Sequence, residues 1–391
     1  MIKRILLLTI LMMSPLAMSP KIYGETDEPS ITSETAVLMD AKTGAILYDK
    51  NAEQAMYPAS LTKIATAIYA IENGNLEDIV TVSENALDVE GTTVFLEEGE
   101  QVPLKKLIQG LLINSGNDAG VAIAEHLSGS VEQFSKDINA YLRNTVGVKN
   151  TTFKNPHGLF DYEHVTTAED LAFITKYALQ NELFREIFGT VQLDWAGKSW
   201  DTTLISHHKM LKGEITYDEV TGGKTGYVDQ SGHTLATSAS GNRIHLIAIT
   251  MRSNTQTEAY SDTATLLDYG LANFETAVLE GGSVVEVNNQ GYQIPSEVYY
   301  TKRIGEEMQP SVTPNGELQF SDENGEVMGS YPLEAIAKKE NVLAAKDKIN
   351  ESSPLKSTLL YAGIGIIGFL IIAALLQKKK RRRSRQFYGQ M

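Results

Sequence analysis

The chain has 391 residues, contains no cysteine and carries a formal net charge of −15. The lack of cysteine excludes disulfides, thiolate catalysis and cysteine-ligated metal sites, and the seven histidines show no metal-ligand spacing, so we predict neither metal nor cofactor. Hydrophobic residues make up 42% of the sequence, which suffices for a buried core and allows one large and one smaller domain.

The N-terminus has the features of a secretory signal peptide, which we assign to residues 1–24. Lys3 and Arg4 precede an apolar run over residues 5–16, and small residues suitable for cleavage follow, so the mature chain is predicted to start between residues 20 and 27. An uncleaved anchor is the alternative interpretation, although the run is short for a membrane span.

The next segment predicts a hairpin followed by a series of helices. Strands are predicted over residues 36–40 and 45–48. Pro58 favours a helix start near Ser60, and Asn73-Gly74 ends that helix. Further helices are predicted over residues 104–113, 119–127, 131–145, 168–178 and 262–273.

From residue 190 the patterning changes toward strands, which are predicted over residues 191–195, 202–205, 233–240 and 244–251. Residues 220–227 are expected to lead into the last of these hairpins, whose turn is Gly241-Asn242. Short β segments separated by Gly, Asn and Pro then predict a small all-β domain over residues 276–337.

The C-terminus predicts a membrane anchor. Residues 338–358 are polar and suggest a stalk, and residues 359–376 form an uncharged apolar run long enough to cross a membrane. The basic tail over residues 377–391 is expected to stay cytoplasmic, which places the bulk of the chain outside the cell membrane. A nucleic-acid-binding tail beside a buried helix is the alternative, but residues 25–376 hold 49 acidic and only 24 basic residues and would repel nucleic acid.

Ser60 and Lys63 form the pair on which the functional prediction depends. They lie three residues apart at a predicted helix start, so they share a helix face and can approach within hydrogen-bond distance. A serine beside a lysine is typical of a nucleophile with its base. Such a lysine needs a pKa below its ordinary value of about 10.4, and burial or a second cation lowers it. We predict that Lys224 supplies that second charge.

The short motifs around these residues recur elsewhere, so their context has to decide. Other Ser-x-x-Lys, Ser-x-Asn and Lys-Thr-Gly matches begin in turns, in the stalk or away from any apolar helix, at Ser206, Ser353, Ser83, Ser240 and Lys42. Only Ser60, Ser115 and Lys224 come in order, each at the boundary of a predicted element. Side chains at such boundaries often carry function.

This ordered set resembles the signature of penicillin-binding proteins and serine β-lactamases. Longer phrases are similar to the low-molecular-mass D-alanyl-D-alanine carboxypeptidases: Tyr57-Pro58-Ala59-Ser60-Leu61-Thr62-Lys63, Asn114-Ser115-Gly116-Asn117-Asp118-Ala119, Asn155-Pro156-His157-Gly158-Leu159 and Gly222-Gly223-Lys224-Thr225-Gly226-Tyr227. The resemblance runs from about Glu34 to Phe274. It implies an α/β (α+β) catalytic domain, over residues 31–275, in which helices flank an antiparallel sheet.

The resemblance also implies catalytic roles. Ser60 would attack the carbonyl between two D-alanines at the end of a peptidoglycan stem peptide and form an acyl-enzyme. Lys63 would accept its proton, and Ser115 and Asn117 would assist proton transfer and hold the substrate amide. β-Lactams would acylate Ser60 as covalent inhibitors.

Substrate-binding roles follow from the last motif. Lys224 and Thr225 would bind the terminal carboxylate, and Gly226 and Tyr227 would also belong to the substrate-binding residues. The backbone N–H groups of Ser60 and Tyr227 would form an oxyanion hole, an arrangement that contributes roughly 2.7 to 4 kcal/mol per donor in other serine enzymes.

Several alternatives stay open at this point. A β-lactamase is less well supported, because Gly116 stands where those enzymes usually carry Asp and no Glu-x-x-Leu-Asn phrase lies between Asn117 and Lys224. A D,D-endopeptidase or transpeptidase would use the same residues, and a non-catalytic peptidoglycan-binding surface protein would keep the fold without acylating. His157 borders the expected cleft, either in a functional role or as a turn histidine bonded to backbone. Arg252 either assists near the cleft or is simply exposed.

Overall fold

The computed structural model describes residues 28–322, 325 and 327–336. The predicted signal peptide, stalk, membrane span and basic tail lie outside the described residues. Among the residues that are described, no helix has both the length and the apolar composition needed to cross a membrane.

The described helices are α1 (Thr62–Asn73), α2 (Glu84–Leu87), α3 (Leu104–Ile113), α4 (Asn117–Ser128), α5 (Val131–Tyr141), α6 (Ala168–Ala178), α7 (Glu182–Phe188) and α8 (Gln256–Asn273). A 3₁₀ turn over Ala59–Leu61 leads into α1, and a π-helical turn over Leu142–Val146 extends α5. Helices α3 and α6 have the bounds that the sequence predicts, so apolar periodicity located them correctly, and the Thr167 hydroxyl caps α6 by accepting from the Asp170 N–H.

The strands before the last helix are β1 (Thr35–Asp40), β2 (Ile46–Lys50), β3 (Ile79–Thr81), β4 (Gln101–Pro103), β5 (Gln192–Ala196), β6 (Asp201–Ile205), β7 (Val220–Val228), β8 (Gly232–Ser240) and β9 (His245–Ser253). The later strands are β10 (Phe274–Glu280), β11 (Val284–Val287), β12 (Gln290–Gln293), β13 (Glu297–Arg303), β14 (Gln309–Val312), β15 (Glu317–Ser321), β16 (Val327–Pro332) and β17 (Glu334–Ala335).

A five-stranded antiparallel sheet in the order β2-β1-β9-β8-β7 forms the centre of the first part of the chain. Val37 and Met39 of β1 face the largest apolar cluster, to which α1, α3 and α6 contribute. Leu38 faces the other way and packs with Leu246 and with Leu266 of α8. Both faces of β1 are therefore buried, and the predicted antiparallel sheet flanked by helices is confirmed.

Residues 220–227 lead into the hairpin as expected, and in addition they form edge strand β7, which pairs with β8 and which the sequence did not predict as a strand. Glycine is depleted in strands, so the Gly-Gly pair obscured the pattern. A Cβ on Gly223 would lie 2.2 Å from the His208 ring, and one on Gly222 would lie 2.5 Å from Phe188. These glycines permit close packing of β7 against its neighbours.

Helix α8 begins at Gln256, earlier than the predicted start at residue 262. Thr255 caps it through a capping box in which the Thr255 hydroxyl accepts from Glu258 N–H and the Glu258 carboxylate accepts from Thr255 N–H. This signal lies ahead of the first apolar residues of the helix, which is why apolar periodicity alone placed the start too late.

The later strands form a further β region with its own small core. Ile294, Val298, Leu318 and Phe320 are buried together between its short antiparallel sheets. Buried Asp40, at the end of β1, accepts 2.7 Å hydrogen bonds from hydroxyls of this region, at Thr276 and Thr301. These bonds attach the β region to the end of strand β1.

Candidate active site

Ser60 lies in the 3₁₀ turn that precedes α1, and Lys63 lies on the first turn of that helix. The Lys63 Nζ donates to Ser60 Oγ at 2.9 Å and to the His157 backbone carbonyl at 2.8 Å. Ala59 has a φ of +48°, a conformation that costs roughly 1 to 2 kcal/mol for a residue with a side chain. The turn therefore presents the serine hydroxyl to the lysine at the expense of local strain.

The environment of Lys63 disfavours its charged form. Its side chain is fully buried, and this burial lowers its pKa well below the ordinary value. The Lys224 ammonium lowers the pKa further, whereas the Asp118 carboxylate opposes both effects. Burial also lowers the pKa of Lys224 to about 7. Burial and the Lys224 charge thus favour the neutral form of Lys63, which is the form able to accept a proton.

The junction between α3 and α4 brings Ser115 to the same cleft. Ser115 has a φ of +63° and is 5% exposed. Asn117 begins α4 and donates through Nδ2 to the Glu90 carbonyl at 2.6 Å. Asp118 accepts from the backbone N–H of Val94 at 3.0 Å. The preceding loop is therefore tied to the helix start, and it contributes to the cleft wall.

Strand β7 forms the opposite wall. A Cβ on Gly226 would lie 2.8 Å from the Ser60 backbone nitrogen, so glycine allows the strand to approach the nucleophile turn. Thr225 and the half-exposed Tyr227, which flank Gly226 in the strand, also line the cleft. The Lys224 side chain is buried, and its Nζ donates to the Thr225 carbonyl at 2.7 Å.

The cleft between these walls has a volume of about 410 Å³ and is lined by Ser60, Ser115, Thr225, Gly226 and Tyr227 among others. It also includes residues that the sequence prediction missed, namely Thr92, His207, His233, Thr234, Gln256 and Tyr260. No recognisable spacing marks them, because they come from four separate segments that only the fold brings together. Burial and then the Lys224 charge lower the pKa of His207 to about 4, which keeps its imidazole neutral.

Two residues with open roles have clear structural partners. His157 is buried, its Nδ1 accepts from the Leu159 N–H, and its carbonyl accepts from Lys63. Its imidazole therefore behaves as a turn histidine, while its backbone contacts the base. Arg252 pairs with Glu34 at 3.2 Å on the surface.

The alternative motif matches lie in other settings. Ser206 directly follows β6 and lies outside any helix, and its Oγ accepts from the His208 N–H. Ser83 caps α2 by accepting from the Ala86 N–H. Lys42 lies over the Tyr299 ring, 4.1 Å from its centroid. Within the described part of the chain, no group of three His, Asp or Glu side chains is arranged to hold a metal ion.

Gly158 is expected to tolerate no side chain. Its φ is +89°, and a Cβ would lie 1.8 Å from the Ala59 carbonyl oxygen. Because both backbone strain and overpacking apply, we expect Gly158→Ala to lower the free energy of unfolding by about 3 kcal/mol. Gly129→Ala is the matched control, with a φ of +79° but nothing within 4 Å of the added Cβ. It should lose only about 1 kcal/mol in urea titration; equal losses in the two variants would contradict the packing argument.

A serine–lysine pair at the start of a buried helix, facing an edge strand of an antiparallel sheet, defines the penicillin-binding protein and β-lactamase class of fold. Penicillin-binding protein 5 from Haemophilus influenzae has this fold with a TM-score of 0.70 and 29% identity, covering 80% of this chain and 98% of that one. The family model described as D-alanyl-D-alanine carboxypeptidase matches residues 23–255. The chain belongs to this family of serine peptidases, and the sequence-based assignment is confirmed.

Curated relatives carry the same description. D-alanyl-D-alanine carboxypeptidase DacF of Bacillus subtilis is 34% identical over 274 residues, which cover 68% of this chain and 69% of that protein. D-alanyl-D-alanine carboxypeptidase DacA of Haemophilus influenzae is 36% identical over 282 residues, covering 67% and 68% of the two chains. The similarity to these two relatives therefore covers about two thirds of this chain.

Proposed function

We propose that this enzyme removes the terminal D-alanine from peptidoglycan stem peptides that end in D-Ala-D-Ala, through an acyl-enzyme on Ser60. The observation that supports this most directly is the 2.9 Å contact between Ser60 Oγ and the Nζ of fully buried Lys63. A neutral amine at that distance can accept the hydroxyl proton while the oxygen attacks the peptide carbonyl.

In the acylation step, the Ser60 oxygen forms a bond to the carbonyl carbon and its proton passes to Lys63. The oxyanion that develops is stabilised by the backbone N–H groups of Ser60 and Tyr227, because Gly226 allows strand β7 to approach the Ser60 turn. The C–N bond then breaks, and the leaving D-alanine amine takes up a proton, with Ser115 as the relay. Water hydrolyses the ester and releases the shortened peptide.

The other motif residues hold the substrate in this geometry. Lys224 and Thr225 bind the terminal carboxylate. Lys224 provides a local cation for it within a strongly acidic protein. Asn117 contacts the substrate amide. To do so, its side chain weakens the hydrogen bond that its Nδ2 donates to the Glu90 carbonyl. β-Lactams react with Ser60 in the same way and leave slowly, because the chain lacks the Glu-x-x-Leu-Asn phrase that activates a deacylating water.

The placement of the enzyme follows from its sequence. After removal of residues 1–24, the catalytic domain over residues 31–275 and the β domain over residues 276–337 lie outside the cell. The stalk over residues 338–358 connects them to a membrane span over residues 359–376, with the basic tail cytoplasmic. The purified full-length chain should therefore partition with lipid vesicles, and loss of residues 359–391 should release it.

Product analysis tests the proposed activity. We expect the protein to release free D-alanine from a pentapeptide ending in D-Ala-D-Ala, and mass spectrometry after penicillin treatment to locate one adduct on Ser60. Release of crosslinked products instead would identify a transpeptidase, and cleavage of crosslinked muropeptides an endopeptidase. An adduct without any hydrolysis would contradict the carboxypeptidase, and no adduct at all would indicate a binding protein.

A further inference from the structure

A buried histidine outside every motif is linked to the nucleophile turn by consecutive hydrogen bonds. The Lys154 N–H donates to His164 Nδ1 at 3.0 Å, so in the neutral ring the hydrogen is on Nε2. The Nε2–H then donates to Thr62 Oγ1 at 2.8 Å, and the Thr62 hydroxyl donates to the Ala59 carbonyl at 2.8 Å. The hydrogen bonds from Lys154 through His164 and Thr62 to the Ala59 carbonyl are therefore all donated in the same direction.

The surroundings fix this chain of hydrogen bonds. His164 is 2% exposed and Thr62 is fully buried, so water does not compete for their polar atoms. The His164 ring stacks on Phe153, with 4.8 Å between centroids and 18° between planes. Burial also lowers the pKa of His164 to about 3, which keeps the ring neutral across the working pH range. The imidazole is thus a fixed donor to Thr62.

The acceptor at the end of the chain belongs to the peptide unit that contains the Ser60 N–H. A trans peptide is planar, with its C=O and N–H pointing in opposite directions, so anchoring the Ala59 carbonyl also sets the direction of the Ser60 N–H. A hydrogen bond to the carbonyl also strengthens the N–H as a donor. The Gly158 backbone packs closely against the same carbonyl, because a Cβ on Gly158 would lie 1.8 Å from the Ala59 carbonyl oxygen.

We propose that His164 and Thr62 are positioning residues for the oxyanion hole, which orient and polarise the Ala59–Ser60 peptide so that the Ser60 N–H meets the developing oxyanion. This inference rests on the proposed function, in which Ser60 is the nucleophile. It also accounts for the strained φ of Ala59, because the Thr62 bond holds the carbonyl that this conformation turns inward.

Thr62→Val removes the hydroxyl while keeping the shape of the side chain, and Thr62→Ser is its matched control because it keeps the hydroxyl. Loss of a whole oxyanion donor reduces kcat by about 10² to 10³-fold, so we expect Thr62→Val to slow acylation by penicillin on the order of 10- to 100-fold with little change in KM for the pentapeptide. Thr62→Ser should recover most of the rate.

The carbonyl stretch of the penicilloyl ester provides a readout that a merely structural role would not move. A weaker oxyanion hole polarises the ester less, so its infrared band should shift to higher wavenumber in Thr62→Val and return in Thr62→Ser. A structural role alone would lower the melting temperature and the fraction of protein that labels, without changing the band or the rate of the fraction that reacts.

His164→Phe and His164→Gln extend the test, and they decide it if Thr62→Val does not fold. Phenylalanine keeps the stacking on Phe153 without a donor, whereas glutamine offers an amide N–H to Thr62. The first should show the slow rate and the shifted band, and the second should restore both in part. An unchanged band and rate in a folded variant without the donor overturns the proposal. Absence of a Ser60 adduct in the unmodified protein overturns the proposed function itself, and this inference with it.

Discussion

Labelling by fluorescent penicillin should disappear when Ser60 is replaced by alanine, and so should the release of D-alanine. In the proposed mechanism Ser60 supplies the oxygen of the acyl-enzyme, and its Oγ accepts from Lys63 Nζ at 2.9 Å. Removal of the nucleophile from another serine peptidase lowers kcat by about 2 × 10⁶-fold, and we expect a loss of this order here. Labelling on gels and a D-alanine assay measure the two effects.

The fold should survive this change. The Ser60→Ala variant loses one hydrogen bond of Lys63 but keeps the bond to the His157 carbonyl, so its stability should change by about 1 kcal/mol or less. Ser206→Ala is the matched control, because Ser206 also begins a Ser-x-x-Lys pattern but directly follows β6. Labelling that persists in Ser60→Ala and disappears in Ser206→Ala would show that the nucleophile had been chosen wrongly.

The sequence located the longer helices and brought Ser60 and Lys63 together because both depend on local rules. Pro58 ahead of an apolar run predicted the start of α1, and the (i, i+3) spacing placed Ser60 and Lys63 on one face. The predicted hairpin of β1 and β2 and the strands β8 and β9 were likewise found from period-two alternation. Signals of this kind are complete within about ten residues, so no knowledge of the fold is needed.

Features that depend on contacts between distant segments were missed. Strand β7 contains three glycines whose function is close approach to Phe188, to His208 and to the Ser60 turn, and none of these neighbours is adjacent in sequence. Short elements such as α2, α7 and the β3–β4 ladder are too brief to show a period. Local propensity could not find them, because tertiary packing determines whether they form.

The residues of the candidate site also divide into those that local motifs predicted and those that depend on contacts between distant segments. Ser115 and Lys224 were named from motif order, and the structure places them around the cleft and the base. His164 was not named, because a histidine that acts through Thr62 on a backbone carbonyl has no spacing rule with respect to Ser60. The side chains that orient a nucleophile turn can come from any segment that packs on it, and only the folded contacts identify them.

Lys63→Met is expected to reduce acylation by about 10³- to 10⁴-fold, because it removes the base while keeping an unbranched side chain in the buried site. In the unmodified enzyme, catalysis needs the neutral amine. Since burial and Lys224 lower the pKa of Lys63, the acylation rate should rise as pH increases through that lowered pKa and then level off, well below the titration range of an exposed lysine. Stopped-flow measurement with a chromogenic β-lactam between pH 5 and 10 records this profile.

Lys63→Arg separates a base from a fixed charge. A guanidinium stays protonated at every pH in that range, so it can act as a cation beside Ser60 but cannot accept the proton. If Lys63 is the base, the arginine variant should be as slow as the methionine variant and lose the pH-dependent rise, provided that circular dichroism shows both to be folded. If the arginine variant acylated at the rate of the unmodified enzyme, Lys63 would act through its charge alone, and another group would have to accept the Ser60 proton.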